Sequence, residues 1–161
     1  MKKLIFVALM ACSISVFAQT DGKNGTIYKS HPLIDLANQA GALYQKGDVD
    51  GMAKFYADTC KFFGPGIPDK GIALTQQIAA WKKDWTDWDQ IKLGIQGYPD
   101  GLDYTKEGFV VQVWFSFSAV NKKTKKPATT NMVLFLSFNK DKKISSSLMY
   151  YDPTPLITAS E

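Results

Sequence analysis

Apolar residues recur along this chain with one period in its first half and another in its second. From Ser30-His31-Pro32 onward, Leu33, Leu36, Ala37, Ala40, Leu43 and Tyr44 fall at i, i+3, i+4 and i+7, the stripe of an amphipathic helix. Pro32 in the first turn, Asp35 at the positive end of the dipole and Gly47 as a left-handed C-cap suit its ends. Asp48 at once caps a second helix, with Val49, Met52, Ala53 and Tyr56 facing inward. Thr59 to Phe63 reads as a short strand, and Gly64-Pro65-Gly66-Ile67-Pro68 can continue neither helix nor ladder, so it forms a loop at a mouth. A third helix is predicted from Gly71 to Trp85, carrying Leu74, Ile78, Trp81 and Trp85 on one stripe and Gln76, Gln77, Lys82 and Lys83 on the other.

After Thr86-Asp87-Trp88-Asp89 the period becomes two and stays there. Ile91, Leu93 and Ile95 alternate with polar neighbours, and Asp100-Gly101 carries a turn signal. The long strand Phe109 to Val120 puts Phe109, Val111, Val113, Phe115, Phe117 and Ala119 on one face, and Val110, Gln112, Trp114, Ser116 and Ser118 on the other. A lysine-rich tip from Asn121 to Pro127 leads to a strand with Met132, Leu134, Leu136 and Phe138 on one side and Asn131, Val133, Phe135 and Ser137 on the other. A second tip, Asn139 to Lys143, precedes a last strand from Ile144 to Tyr151, and Pro153 and Pro155 stop the pairing. Helices first and long antiparallel strands afterwards is an α+β layout in one domain, without repeats.

The two ends change the picture. Lys2-Lys3, the apolar run Leu4 to Ala11 and then Val16-Phe17-Ala18 have the form of a secretory signal, residues 1–18, cleaved after Ala18. Ser13 and Ser15 break the run short of the ~20 residues that a membrane span needs. The alternative is a lipoprotein tethered at Cys12, against which weigh the apolar Ile14, Val16 and Phe17 that follow it. Residues 19–30 read as a flexible lead-in, 31–157 as the domain and 158–161 as a tail. The expected location is periplasmic or secreted. Cleavage removes Cys12, leaving Cys60 without a disulfide partner and best read as a small buried hydrophobe. Without Lys2 and Lys3 the formal charge drops from +4 to +2, too balanced for a nucleic-acid footprint.

The segments GDVDGMAKFYAD (47–58), FFGP (62–65) and KGIALTQQIAAW (70–81), in that order, resemble the nuclear transport factor 2-like superfamily, which includes steroid isomerases and SnoaL-type cyclases. The resemblance covers about Leu33 to Asp152 and implies a conical barrel: a strongly curved antiparallel sheet packed on three N-terminal helices, often dimeric through the convex side. Fold does not carry function, so the positions were compared one by one. The oxyanion tyrosine of a steroid-isomerase-like site falls on Ala40, its proton-moving aspartate on Gly64, its late aspartate near Leu134 and a supporting tyrosine near Ala79. None of the four has the polar group that chemistry uses.

Other chemistries find little support in the residues. The single histidine, His31, sits where a helix starts and suits capping. Asp84, Asp87 and Asp89 read as solvated residues at a helix end, and no His and Cys cluster accompanies them to hold a metal. No catalytic residue, cofactor or metal is therefore assigned. The leading expectation is a cone cavity that binds a small hydrophobic or aromatic molecule through Tyr56, Phe62, Ile78, Trp81, Val113, Phe115, Phe117, Met132 and Leu134. The small Ala40, Gly64 and Ala79 are expected to vacate its volume. The alternatives are an enzyme of the cyclase, hydrolase or isomerase kind, using Tyr44, Tyr56, Asp103 or Asp152, and a dimerising scaffold with a filled core. Trp114, Val133 and Phe135 on the outward parity predict a homodimer; no nucleic-acid partner and no membrane span are expected.

Overall fold

The computed structural model describes residue 22 and residues 24–161, so the signal segment and Cys12 lie outside the described residues. Strand β1 is Gly25–Tyr28, within the stretch read as a flexible lead-in. It pairs antiparallel with β5 (Asp100–Tyr104), Thr26 against Asp103, so order begins before Ser30. Helix α1, Pro32–Gln45, follows the apolar stripe and buries Ile34, Ala37, Ala40 and Tyr44. His31 is its N-cap: Nδ1 accepts from the Leu33 amide at 3.2 Å, and the ring stacks on Phe109 with centroids 3.9 Å apart. Gly47 follows the helix at φ +76°, the left-handed turn that glycine adopts without a Cβ penalty.

Helix α2 is shorter than its inner stripe suggests, only Val49–Ala53, capped by the Asp48 carboxylate accepting from the Gly51 amide at 2.8 Å. Tyr56 belongs to strand β2, Tyr56–Phe63, because the strand finds a parallel partner in β8 (Ile144–Tyr151) and pairs Tyr56 with Ile144. Long-range ladder bonds override a local helical pattern here. The third helix is trimmed likewise. Ile72–Ala73 form β3, a two-residue strand hairpinned onto Lys61 and Phe62, and Gly71 at φ +69° cannot begin a helix. Helix α3 therefore spans Leu74–Asp87. Its first turn is closed by Gln76, whose side-chain oxygen accepts from the Ala73 amide at 3.1 Å.

The remaining strands are β4 (Trp88–Ile95), β6 (Gly108–Asn121) and β7 (Pro127–Phe138). Asp100-Gly101 is not a turn but lies inside β5, and Gly101 is there for a packing reason: a Cβ would sit 2.5 Å from the Phe109 ring. The order β1-β5-β6-β7-β8-β2-β3, with β4 also pairing β6, makes an open eight-stranded sheet, antiparallel except at β2–β8. A closed barrel is thus not formed. Three N-terminal helices are not the whole helical layer either, since Thr154–Ser160 form α4 with Pro155 in its first turn. Proline stops the strand and starts a helix, a position where its missing amide costs nothing. The expected tail at 158–161 is part of that helix, with Ala159 buried. Thr124 Oγ1 donates to the Ala159 carbonyl at 2.6 Å, and Thr130 Oγ1 to the Asp152 carbonyl at 2.9 Å, which docks α4 across the ends of β6 and β7.

Candidate functional site

Parity along β6 and β7 builds one wall. Phe115 pairs with Met132 and Val113 with Leu134, and alternate residues from Val111 to Ala119 are buried. Opposite them, α1 presents Ala37, Ala40 and Gly41, side chains too short to reach the sheet, so a cavity of about 380 Å³ remains between the layers. That volume lies in the range of small-molecule pockets. The base is an aromatic cluster of Tyr56, Phe62 and Trp81, with centroids 5.2 to 5.4 Å apart and Phe62 edge-on to Trp81. The partly exposed Pro65 and Ile67 of the loop after β2 bring the lining to the surface. Leu156 of α4 also lines it, a contribution that the prolines concealed in the sequence.

Of the residues expected to line the site, Tyr56, Phe62, Trp81, Phe115, Phe117, Met132 and Leu134 do so. Ile78 and Val113 do not: both pack in or against the core, and Val113 is buried. Ala40 lines the cavity and Ala79 does not, its neighbour Ala80 taking that place. Gly64 is at the rim, but for a reason other than vacated volume. A Cβ there would lie 3.0 Å from the Met149 carbonyl, so glycine permits the close approach of β2 to β8.

Tyr44 and Tyr56, expected as the groups of an enzyme, both line the cavity, and its carboxylate was not foreseen. Asp84 lines it, and Tyr44 Oη donates to Asp84 Oδ2 at 2.9 Å across the gap between α1 and α3. Burial pushes the Asp84 carboxyl up to about 6; the Tyr44 hydrogen bond and Lys83 pull the other way, and Asp87 adds to the rise. The Tyr44 hydroxyl is raised first by burial and then by the Asp84 charge, and Tyr151, also in the lining, is raised for the same two reasons. The signal for Asp84 was its place three residues after the buried Trp81 on the same helix, which sets it on the inward stripe rather than among solvated acids. Asp103 and Asp152 take no part in this cavity: Asp103 is exposed at the β1–β5 edge, and Asp152 precedes α4, its carboxylate held low by hydrogen bonds from Thr154. Cys60 is 1 % exposed and burial pushes its thiol up to about 12, which suits packing and not nucleophilic attack. Among the described residues no three His, Cys, Asp or Glu side chains cluster as a metal site would require, and no helix is long and apolar enough to cross a membrane.

No family model and no curated protein matches the chain. Solved structures do. A protein from Penicillium brasilianum, PrhC, superposes with a TM-score of 0.67 over 82% of this chain and 87% of its own, at 12% identity. An NTF2-like protein from Burkholderia thailandensis gives 0.65 over 82% and 99%, at 11% identity. A protein of ketosteroid isomerase-like fold from Catenulispora acidiphila, solved in complex with trimethylamine, gives 0.62 over 81% and 94%, at 12% identity. The fold is nuclear transport factor 2-like. Within this nuclear transport factor 2-like fold Ala40, Gly64 and Leu134 line the cavity, and the polar pair stands at Tyr44, one helical turn beyond Ala40, and at Asp84 of α3.

Proposed function

We propose that this chain is an exported domain that binds a small apolar or aromatic molecule in the cavity between α1, α3 and the concave face of the sheet. The observation that carries this reading is the cavity itself: about 380 Å³, lined by aliphatic and aromatic side chains, with Asp84 the one carboxylate in the lining. Ring stacking on Tyr56, Phe62 and Trp81 supplies affinity, and a few polar groups at one end supply orientation. Export rests on the Lys2-Lys3, apolar run and Ala18 pattern. N-terminal sequencing of native protein that returns Gln19 supports cleavage, and an acylated Cys12 overturns it. The test of binding is a thermal melt with 1-naphthol: a ligand at about a hundred times its Kd stabilises by about 2.7 kcal/mol, a shift readily seen in this size of domain. No shift with any apolar aromatic overturns the reading.

A second reading is favoured by the Tyr44–Asp84 pair alone. A carboxylate near pH 6 in an apolar cavity suits a general base, and the domain would then transform what it binds. Ligand recovered unchanged after long incubation supports the binding protein. Conversion that disappears in Asp84→Asn supports the enzyme. A homodimer is proposed through the convex face, where Trp114, Val133 and Tyr150 form one cross-strand row with Phe135 beside it. Trp114 is 48 % and Tyr150 56 % exposed, and β1 lies at the β5 edge rather than over them.

A further inference from the structure

Asp84 is badly matched to the cavity that surrounds it. Among the described residues no lysine, arginine or histidine lines the site. The one side-chain donor that Asp84 finds among the described residues is the Tyr44 hydroxyl, bound to Oδ2, although an ionised carboxylate has room for about four. Lys83, the nearest cation in sequence, is engaged with Asp87 on the solvent side of α3. A half-buried negative group beside apolar walls is better matched when a cation is brought to it. Its surroundings are also of a particular kind: Tyr44, Trp81, Trp88 and Tyr151 line the same cavity, and aromatic side chains of this type attract a cation through their faces.

Resting on the binding function proposed above, we infer that the ligand is a hydrophobic amine, its ammonium paired with Asp84 within the ring of aromatic side chains and its apolar body laid against Tyr56, Phe62 and Phe115. The ammonium supplies the N–H donors that the free Oδ1 lacks, and Tyr44 keeps the carboxylate pointed at it. An acid is excluded from the same place by like charge. A neutral alcohol would gain the stacking but not the ion pair.

Three probes with one apolar body separate these terms: 2-naphthylmethylamine, 2-naphthylmethanol and 2-naphthoate, titrated into the full chain and followed by tryptophan fluorescence and calorimetry. The amine is expected to bind at least about tenfold tighter than the alcohol at pH 7.5, with the carboxylate weakest. In Asp84→Asn the amine's affinity should fall to that of the alcohol. In the wild type the amine's advantage should shrink from pH 7.5 to pH 5, because the amine stays charged in this interval while Asp84 takes up a proton. The titratable groups facing Asp84 are Tyr44 from α1 and Tyr151 from β8, both raised, with Lys83 and Asp87 on its own helix. An alcohol that binds as tightly as the amine, or an amine preference that survives Asp84→Asn, overturns the inference while leaving a binding cavity. Failure of all three probes overturns the binding function itself.

Discussion

Neighbouring residues of β6 meet opposite fates. Phe115 and Phe117 are 6 % and 7 % exposed, whereas Trp114, next to Phe115 and paired with Val133 of β7, is 48 % exposed. Both faces carry large aromatic rings, so the presence of such a ring alone does not separate them. The concave face is covered by helices whose facing side chains, Ala37, Ala40 and Gly41, are too small to fill the space, and it becomes a cavity wall. The convex face around Trp114 is covered by nothing in the described chain. One side of the strand is thus suited to a small molecule and the other to a large partner.

The bluntest way to break this comparison is to place the same charge on each face. Phe117→Asp should cost about 4 kcal/mol or more, since it buries an unpaired carboxylate and deletes a core ring, while Trp114→Asp should stay within about 0.5–1 kcal/mol of wild type. Urea unfolding measures both, and equal costs would mean that Trp114 is covered after all. A second test uses Asp84. Its folded value of about 6 lies above the ordinary 3.8, so the folded state holds this proton more tightly than the unfolded chain. Its contribution is therefore most favourable below pH ~4, declines as the pH rises to ~6 and levels off above that, a span on the order of 2–3 kcal/mol. The stability difference between wild type and Asp84→Asn, measured from pH 4 to pH 7, should follow that curve; a flat difference would place Asp84 in water.

A third test sharpens the contrast from within. Ala40→Phe should cost less than about 1 kcal/mol in a thermal melt, because the new ring enters free space, where a filled core would exact ~1–3 kcal/mol. The smallest expected effect on stability is on the outer face. Trp114→Ser should change the melt by no more than about 0.5 kcal/mol at concentrations where the chain is monomeric, yet shift sedimentation from dimer to monomer at tens of micromolar. A wild type that sediments as a monomer there removes the dimer.

What the sequence disclosed follows from the range of the forces involved. Alternation over β6 and β7 and the stripe of α1 are set by local periodicity, and the inward residues Phe115, Phe117, Met132 and Leu134 were legible from it. The end of α2 and the start of α3 were not, because pairing of Tyr56 with Ile144 and of Ile72 with Phe62 depends on strands distant in sequence or on a hairpin around Gly71. Pro153 and Pro155 announce the end of pairing, and only the docking of Leu156 and Ala159 reveals that a helix begins there. Asp84 was hidden by its company. Lys82, Lys83 and Asp87 are all of its charged neighbours and all lean outward, so a charge-rich segment masked the one member that turns toward the cavity.

The central claim is that the space between α1 and the sheet receives a ligand, and calorimetric titration of 1-naphthol into wild type and Ala40→Phe tests it most directly. Saturable one-to-one binding by the wild type, abolished in a variant whose melting temperature is nearly unchanged, is the predicted result. Absence of saturable binding by the wild type, together with a full overpacking cost in the variant, would contradict it.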